Sequence, residues 1–393
     1  MSKKWELPDA IGRLLSAPDL SALTKTLADD RIATAFGLWG SSAAAVAASV
    51  QRQLDRPLLF VCGHLDEADD VADDIELFSG VRPAVLPSLE IAGNLGRVSE
   101  EQASERMRLV LDIAAGKPPR GIVAPIQALM QPVPARDELK HLAYTVKKDE
   151  TLEIEKLIVW LSEHGFNRVE QCEVPGDFAV RGGIVDAYLP GTFDENAEEV
   201  GLTVRIDFFG DNVESIRRFD IDTLGSGDVL AEVRFVDIKG QMAATSGQTH
   251  LFAYLDESTL VVLNQSLEIQ EQARSYIDRV PDQRGIYPLN ALLRHAAEFT
   301  LLELSEFDQG LSSAPSLVRD KEPPRRQLPI RSLQKFETEA KKAIHELAEL
   351  SSTHDVVVFC ENDGERKRFT DLLDAELPGL SKKVPLPVGY LHR

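Results

Sequence analysis

Residues 181–191 read RGGIVDAYLPG, and residues 203–219 read TVRIDFFGDNVESIRRF. In both stretches apolar residues alternate with polar ones, a pattern typical of strands that bury one face. The sequence Gly-Asp-Asn at 210–212 separates two such runs and indicates a hairpin turn. With a helix predicted over 154–163 and a further strand expected at 171–173, these strands indicate a small α+β domain with an antiparallel sheet, which we place at 141–222.

The strand at 203–209 presents two unlike faces. By alternation, the core face should carry Leu202, Val204, Ile206 and Phe208. The other face should carry Thr203, Arg205, Asp207 and Phe209. An aromatic ring near an arginine on a rigid sheet is typical of a protein-binding hot spot. Arg205 and Phe209 are therefore candidate binding residues, unless Phe209 covers the hairpin end or packs under a loop.

The charge of the chain favours a protein partner over nucleic acid. The whole sequence of 393 residues has a net charge of -21, and its average surface should therefore repel a phosphate backbone. Residues 141–222 hold 8 Lys and Arg against 18 Asp and Glu, a net charge of -10. Arginines in so acidic a domain suit acidic protein side chains better than DNA.

On both sides of the small domain, predicted strands alternate with predicted helices. Before it, we expect strands at 33–39, 58–62, 84–86 and 121–124, and helices at 43–54, 66–78 and 99–115. After it, we expect strands at 233–238 and 260–263, and a helix at 267–280. Such alternation indicates a parallel sheet with helices on its faces. We predict a discontinuous α/β domain with halves at 1–140 and 223–308, interrupted by the small domain.

The C-terminal part of the sequence divides into a linker and an incomplete unit. Residues 309–331 read QGLSSAPSLVRDKEPPRRQLPIR and are rich in Ser, Pro and basic residues, which indicates a linker. Within 332–393 we expect two helices, at 336–350 and 364–373, around one strand at 356–360. These elements are too few to close a domain, so we expect the start of a further α/β unit in a chain cut from a longer one.

The strand and helix around Gly40 have the layout of a phosphate-binding loop without its chemistry. Residues 37–48 read GLWGSSAAAVAA, and there is no lysine from 26 to 116. A nucleotide-hydrolysing loop needs a lysine for the β and γ phosphates. We therefore predict a degenerate loop, with no cofactor and no catalytic residue. The alternative is an atypical nucleotide hydrolase that uses the Gly40 turn and the acids beginning at Asp66.

Residues 66–69 read DEAD, the acidic box of one helicase class. The acids continue to Asp74, with apolar residues on the opposite helix face, so we interpret them as the solvated face of an amphipathic helix. The histidines and the three cysteines lack ligand spacing, and no metal site is predicted. Cys62, Cys172 and Cys360 are expected to be buried free thiols in a reducing compartment.

The sequence predicts a cytoplasmic protein without membrane contact. Its longest apolar runs, such as 58–62, have about five residues, whereas a membrane span needs about 20. Two lysines near the N-terminus are not followed by an apolar stretch, so a secretory signal is not supported.

The strings quoted above resemble the transcription-repair coupling factor family. RGGIVDAYLPG followed by VRIDFFGDNVESIRRFD is similar to the small domain that this family shares with the excision-repair protein UvrB. The strand and acidic helix at 56–78 and the string GIVAPIQALMQP at 121–132 are also similar to the family. The resemblance extends over about 33–300 and implies a UvrB-like domain of the helicase-like type with a degenerate phosphate loop.

The resemblance implies that the small domain binds the repair protein UvrA. Two arginines and a phenylalanine carry this binding in the family, and by motif they fall on Arg181, Arg205 and Phe209. Arg181 rests on the resemblance alone. The family protein also contains domains that bind RNA polymerase and a DNA translocase driven by ATP and magnesium. We expect those domains, and their DNA contacts, to lie outside these residues.

Two further interpretations stay open. One is a UvrB-like nucleotide-dependent repair enzyme, which would need the missing lysine. It would also need a long aromatic-rich hairpin where residues 86–100 read LPSLEIAGNLGRVSE, and we assign that stretch no function. The other is an autoinhibitory module whose UvrA-binding face is covered by an intramolecular contact with a C-terminal domain.

Overall fold

A computed structural model shows how these segments are arranged. It describes residues 17–89, 100–140, 142–190, 202–221, 223, 225–237, 247–281, 283–308, 323–331 and 336–392. Residues 191–201 lie outside the described residues. So do residues 90–99, which make up most of the stretch 86–100.

The N-terminal elements are α1 Pro18–Asp30, β1 Ile32–Phe36, α2 Ser42–Leu54, β2 Leu58–Cys62, α3 Glu67–Ser79, β3 Ala84–Val85, α4 Glu100–Ala114, β4 Gly121–Pro125, α5 Ile126–Met130 and β5 Val133–Pro134. The middle elements are β6 Ala143–Lys147, α6 Ile154–Glu163, β7 Asn167–Val169, β8 Asp177–Arg181, β9 Ile184–Leu189, β10 Leu202–Phe209, β11 Asn212–Phe219, β12 Ser226–Val229 and β13 Glu232–Val236. The C-terminal elements are β14 Gln248–Thr249, β15 Leu260–Asn264, α7 Ser266–Arg279, α8 Leu289–Ala296, β16 Thr300–Ser305, β17 Arg325–Gln327, α9 Ala340–Thr353 and α10 Asp363–Glu376.

The larger sheet is parallel and is built from both sides of the small domain. Within the described residues it has seven strands in the order β17-β1-β16-β15-β2-β4-β3, and every pairing is parallel. The strands β15 and β16, which follow the small domain in sequence, lie between β1 and β2. Neither half of the sequence could complete the sheet alone, so the α/β fold class predicted from the sequence is confirmed.

Both faces of this sheet are buried, which explains the uninterrupted apolar strands. In β2, Leu58 and Phe60 pack on one face with helices α1, α2 and α3, whereas Leu59 and Val61 pack on the other with α4 and α7. All these side chains are at most 2% exposed. A sheet covered on both sides reads as a continuous hydrophobic run rather than an alternating one.

The smaller sheet has six described strands in the order β12-β11-β10-β9-β8-β7. Its pairings are antiparallel except for β7 with β8, which is parallel. Helix α6 buries Leu157 and Leu161 against one face, together with Val204 and Ile206 of β10. The two-residue turn between β10 and β11 begins at Gly210, whose φ of +59° favours glycine.

Three of the expected strands differ in the structure. The strand expected at 233–238 in the second α/β half is β13, which pairs with β6 and packs Val233 and Phe235 into the core of the small domain. The strand expected at 171–173 is absent from that described stretch, and β7 and β8 flank it instead. The strand expected at 356–360 is reduced to a single bridge from Cys360 to Val388.

Part of the expected linker at 309–331 belongs to the parallel sheet. Residues Arg325–Gln327 form β17, which pairs with β1 and is itself the edge strand on that side of the sheet. Leu328 follows and is 2% exposed in the core beneath the sheet. A short polar strand can close a sheet edge because backbone hydrogen bonds do not depend on the side chains. Among the described helices, none is long and apolar enough to cross a membrane.

Candidate functional site

The face of the small sheet opposite helix α6 carries all three residues implicated by the sequence. Cross-strand register places Ala179, Asp186, Arg205 and Arg217 in one row. The next row towards the hairpin end contains Arg181, Ile184, Asp207 and Ser215. Residues directly opposite in neighbouring strands share a face, and Phe209 follows Asp207 by two positions on the same strand. We call this surface the outer face.

Arg205 is held rigidly on the outer face by Asp186. Its Nε donates to Asp186 Oδ1 at 2.7 Å, and its Nη2 donates to Oδ2 at 2.8 Å. The side chains of Arg205 and Asp186 are 19% and 6% exposed, so the pair lies largely out of solvent. The hydrogen bond to Asp186 raises the pKa of Arg205. A two-bonded fork of this kind fixes both the position and the plane of the guanidinium.

A second ion pair lies beside the first, and the sequence analysis missed it. Arg217 stands opposite Arg205, and its Nη2 donates to Asp207 Oδ2 at 3.2 Å. Ser215 joins them, because its hydroxyl donates to Asp207 and accepts from Arg217 Nε. Each arginine of this row is thus matched to an aspartate, which lets two cations stand on adjacent strands.

Phe209 is an exposed apolar residue at the hairpin end of this surface. It is 78% exposed, whereas Phe208 on the opposite side of the same strand is 9% exposed. The alternation predicted for this strand is therefore confirmed, and the alternative that Phe209 packs under a loop is contradicted by its exposure. An aromatic ring left in solvent at the end of a sheet is available to a partner.

The glycines after Arg181 bring its strand end close to that of Phe209. Gly182 and Gly183 connect β8 to β9, and Gly182 has a φ of +61°. A side chain at Gly183 would place its Cβ 2.8 Å from the carbonyl oxygen of Phe208, so this approach requires glycine. Arg181 is exposed and its Nη2 donates to the Glu170 carbonyl at 2.8 Å.

A small apolar cluster underlies the other end of the outer face. Cys172, Ala179 and Phe219 are buried there together, and Tyr188 packs against them. The Arg205 guanidinium lies over the Phe219 ring at 5.2 Å from its centroid. Burial raises the pKa of Cys172 to about 12, which keeps this thiol unreactive. The outer face is thus a firm platform from which Phe209 and Arg181 project.

The turn at Gly40 keeps the shape of a phosphate-binding loop. β1 leads through residues 37–41 into α2, and the Trp39 backbone N–H donates to Ser42 Oγ at 2.8 Å. Trp39 itself contacts Phe307 edge to face, with 5.1 Å between ring centroids. Backbone donors at such a turn attract anions weakly, but the phosphates of a nucleotide also need the lysine that this stretch lacks.

Two of the acids at 66–69, Glu67 and Asp69, are engaged with protein groups. Glu67 accepts from the His64 backbone N–H at 3.3 Å, and burial raises its pKa. His64 in turn contacts Glu268 of α7 at 2.7 Å, and Asp69 pairs with Arg82 at 3.1 Å. In the part of the chain that the structure describes, no group of His, Cys, Asp and Glu side chains is arranged to hold a metal ion.

Titration with ATP should therefore give no heat of binding, with or without magnesium. We expect any dissociation constant to be weaker than about 1 mM, because the cation that would offset the phosphate charge is missing. Calorimetry on the whole 393-residue chain measures this directly. A magnesium-dependent dissociation constant near about 1 μM would instead support the nucleotide-hydrolase alternative.

Comparisons with known proteins bear on the same region. Residues 144–239 match the protein-family model of the UvrB interaction domain. The matched range contains the whole outer face and also β13, which the sequence analysis had placed outside the small domain.

Three curated relatives share one name, transcription-repair-coupling factor. The relative from Haemophilus influenzae is 27% identical over 332 residues, which cover 70% of this chain and 28% of the relative. The one from Bacillus subtilis is 28% identical over 199 residues, which cover 50% of this chain and 16% of the relative. The one from Myxococcus xanthus is 29% identical over 237 residues, which cover 58% of this chain and 19% of the relative. These matches confirm the resemblance, and the chain spans less than a third of the length of these relatives.

A solved structure from Sulfolobus tokodaii, described as a hypothetical ATP-dependent RNA helicase, covers 98% of this chain and 82% of its own length at 10% identity. Its TM-score is 0.33.

Proposed function

We propose that the outer face of the small sheet binds UvrA and so recruits excision repair to stalled RNA polymerase. The observation that carries this proposal is the exposed Phe209 on the same face as the fixed arginine Arg205, on a sheet that matches the UvrB interaction domain. An exposed aromatic residue supplies apolar contact area, and arginines supply complementarity to an acidic partner. Arg181, Arg205 and Phe209 are the proposed contact residues.

The chain acts as an adaptor in this proposal rather than as an enzyme. The degenerate loop at Gly40 supports a domain without nucleotide hydrolysis of its own. ATP, magnesium, DNA and RNA polymerase would be bound by domains of a longer protein that translocates on DNA, as the family resemblance implies. The relatives' name, transcription-repair-coupling factor, itself links transcription to repair. That a C-terminal domain covers the outer face in such a protein stays a prediction.

Phe209→Ala should weaken UvrA binding by about 30-fold or more, since truncating a central hot-spot residue costs about 2 kcal/mol. Affinity is measured by calorimetry or surface plasmon resonance with purified UvrA. Phe307→Ala is the matched control, because Phe307 is a 63% exposed phenylalanine on the parallel-sheet domain. We expect the control to bind as the wild type does.

Arg181 is assigned as a contact residue from the family resemblance alone. Arg181→Ala tests that assignment and should also weaken UvrA binding. Undiminished affinity in both Phe209→Ala and Arg181→Ala would show that UvrA does not use this face.

A further inference from the structure

The segment Gly389–His392 lies across the acidic helix α3 of the parallel-sheet domain. The His392 backbone N–H donates to Asp74 Oδ1 at 3.1 Å. Its ring Nδ1 lies 2.9 Å from Asp70 Oδ1, and its Nε2 lies 3.6 Å from Asp73 Oδ2. One residue thus meets three carboxylates that are some 320 positions earlier in the sequence. We call this segment the strap.

The contact with Asp74 satisfies a carboxylate that the fold has buried. Asp74 is 3% exposed, and this burial raises its pKa to about 6, while the hydrogen bond and charge of His392 act in the opposite direction. A buried carboxylate needs a donor to offset its desolvation. The strap supplies that donor from its backbone, so the contact is more than a pairing of surface side chains.

The strap is also firmly joined to the C-terminal unit. The Gly389 N–H donates to the Cys360 carbonyl at 2.8 Å, and the Cys360 N–H donates to the Pro387 carbonyl at 2.9 Å. At Gly389 an added Cβ would lie 2.7 Å from Leu77 Cδ1, which shows how closely the strap approaches α3. Anything that holds the strap to α3 therefore also holds the unit that contains helices α9 and α10.

We propose that the acidic face formed by Asp70, Asp73 and Asp74 on α3 is a docking site for the strap, and that it couples the C-terminal unit to the parallel-sheet domain. The acids of α3, interpreted from the sequence as a solvated face, are thus contacted by His392 of the strap. The ring of Tyr390, also in the strap, lies 4.9 Å from that of His392.

One further basic side chain lies near the docking site. Arg82 approaches it, because it pairs with Asp73 and with Asp69. Arg82 shares Asp73 with His392 but leaves Asp70 and Asp74 to the strap.

Distance measurements between two spin labels on the full chain test the proposal. We would place one at Arg52→Cys on α2 and one at Lys367→Cys on α10, both exposed positions. The native cysteines are at most 2% exposed and should not be labelled. In the parent at pH 7.5, where Asp74 is charged, we expect one narrow distance distribution. His392→Ala and Asp70→Asn should each reduce the population at this distance at least about threefold and add longer distances.

Asp66→Asn is the matched control, since it makes the same charge change at the exposed N-cap of α3 without touching the strap. Circular dichroism verifies that every variant keeps its helices. An unchanged distribution in both His392→Ala and Asp70→Asn would overturn the proposal. So would an equal effect of Asp66→Asn, because general loss of helix charge would then explain the result.

Discussion

Arg106→Met is expected to lower the free energy of unfolding by about 3 kcal/mol or more, since it leaves several buried carbonyl groups without a donor. Arg106 is 3% exposed in helix α4. It donates to the carbonyls of Pro87 at 2.9 Å, Ala128 at 3.0 Å, Gln131 at 2.9 Å and Pro132 at 3.3 Å. Burial lowers its pKa to about 10, so the guanidinium stays charged at neutral pH and is solvated by these carbonyls.

This arginine ties together segments that no secondary structure joins. Its acceptors lie after β3 and at the end of α5, and the Gln131 side chain extends the network. Gln131 Oε1 accepts from the Leu89 N–H at 2.8 Å, and its Nε2 donates to Tyr276 Oη at 2.8 Å. Methionine fills a similar volume but can donate to none of the carbonyls, and each buried acceptor left unpaired costs about 1–3 kcal/mol.

Urea unfolding followed by circular dichroism measures the loss, with Arg108→Met as the control. Arg108 is two residues later on the same helix, is half-buried, and donates to the Pro190 carbonyl at 2.9 Å. We expect its replacement to cost about 1 kcal/mol. Arg106→Lys, which keeps the charge without the fork, should fall between the two. Similar stabilities for Arg106→Met and Arg108→Met would refute the role assigned to Arg106.

The role of Arg106 also shows where sequence reasoning stops. An arginine in an amphipathic helix is normally solvated, and nothing in the local pattern distinguishes Arg106 from Arg108. Several strands of the parallel sheet were predictable, because burial on both faces leaves a local signature of consecutive apolar residues, as at 58–62. The strand β16, which lies between β1 and β15, was not among those expected. The pairing of β13 with β6 was not, because it joins residues about 90 positions apart. Nor was β17, whose polar residues in a proline-rich stretch resemble a linker.

At the outer face, alternation was enough to place Arg205 and Phe209 but not to find their neighbours. The two-residue turn pairs Phe209 with Asn212 and Phe208 with Val213, which by simple counting would set Arg205 opposite Ile216. A bulge after Val213 shifts the register by one, so Ile216 faces Ile206 in the core and Arg217 faces Arg205. A search for the register that pairs apolar with apolar residues could have detected this bulge, and with it Arg217.

Asp186→Ala is expected to weaken UvrA binding although Asp186 is too deeply buried to touch a partner. Its side chain is 6% exposed, and both of its oxygens accept from Arg205. Without it, Arg205 loses the fork that fixes its orientation and becomes a partly buried, unpaired cation. We expect the free energy of unfolding to fall by about 2–3 kcal/mol, less than for a fully buried pair because Arg205 keeps some solvent contact.

A double-mutant cycle separates the pair from its surroundings. Arg205→Ala, Asp186→Ala and the double variant are compared for urea unfolding and for UvrA affinity. We expect the double variant to be more stable than the sum of the single losses predicts, by about 1–3 kcal/mol, because it leaves neither charge unpaired. The control cycle uses Arg217 and Asp207, whose side chains are 41% and 20% exposed, and should give about 1 kcal/mol or less.

The two readouts of the cycle then decide what Arg205 does. If Arg205 contacts UvrA, the double variant recovers stability relative to Asp186→Ala but remains deficient in binding, because the guanidinium is still missing. If the ion pair serves only the fold, affinity returns along with stability in the double variant. The first outcome supports a contact role for Arg205 on the outer face. The second would leave Phe209 and Arg181 as the residues that meet the partner, and Arg205 as part of the platform beneath them.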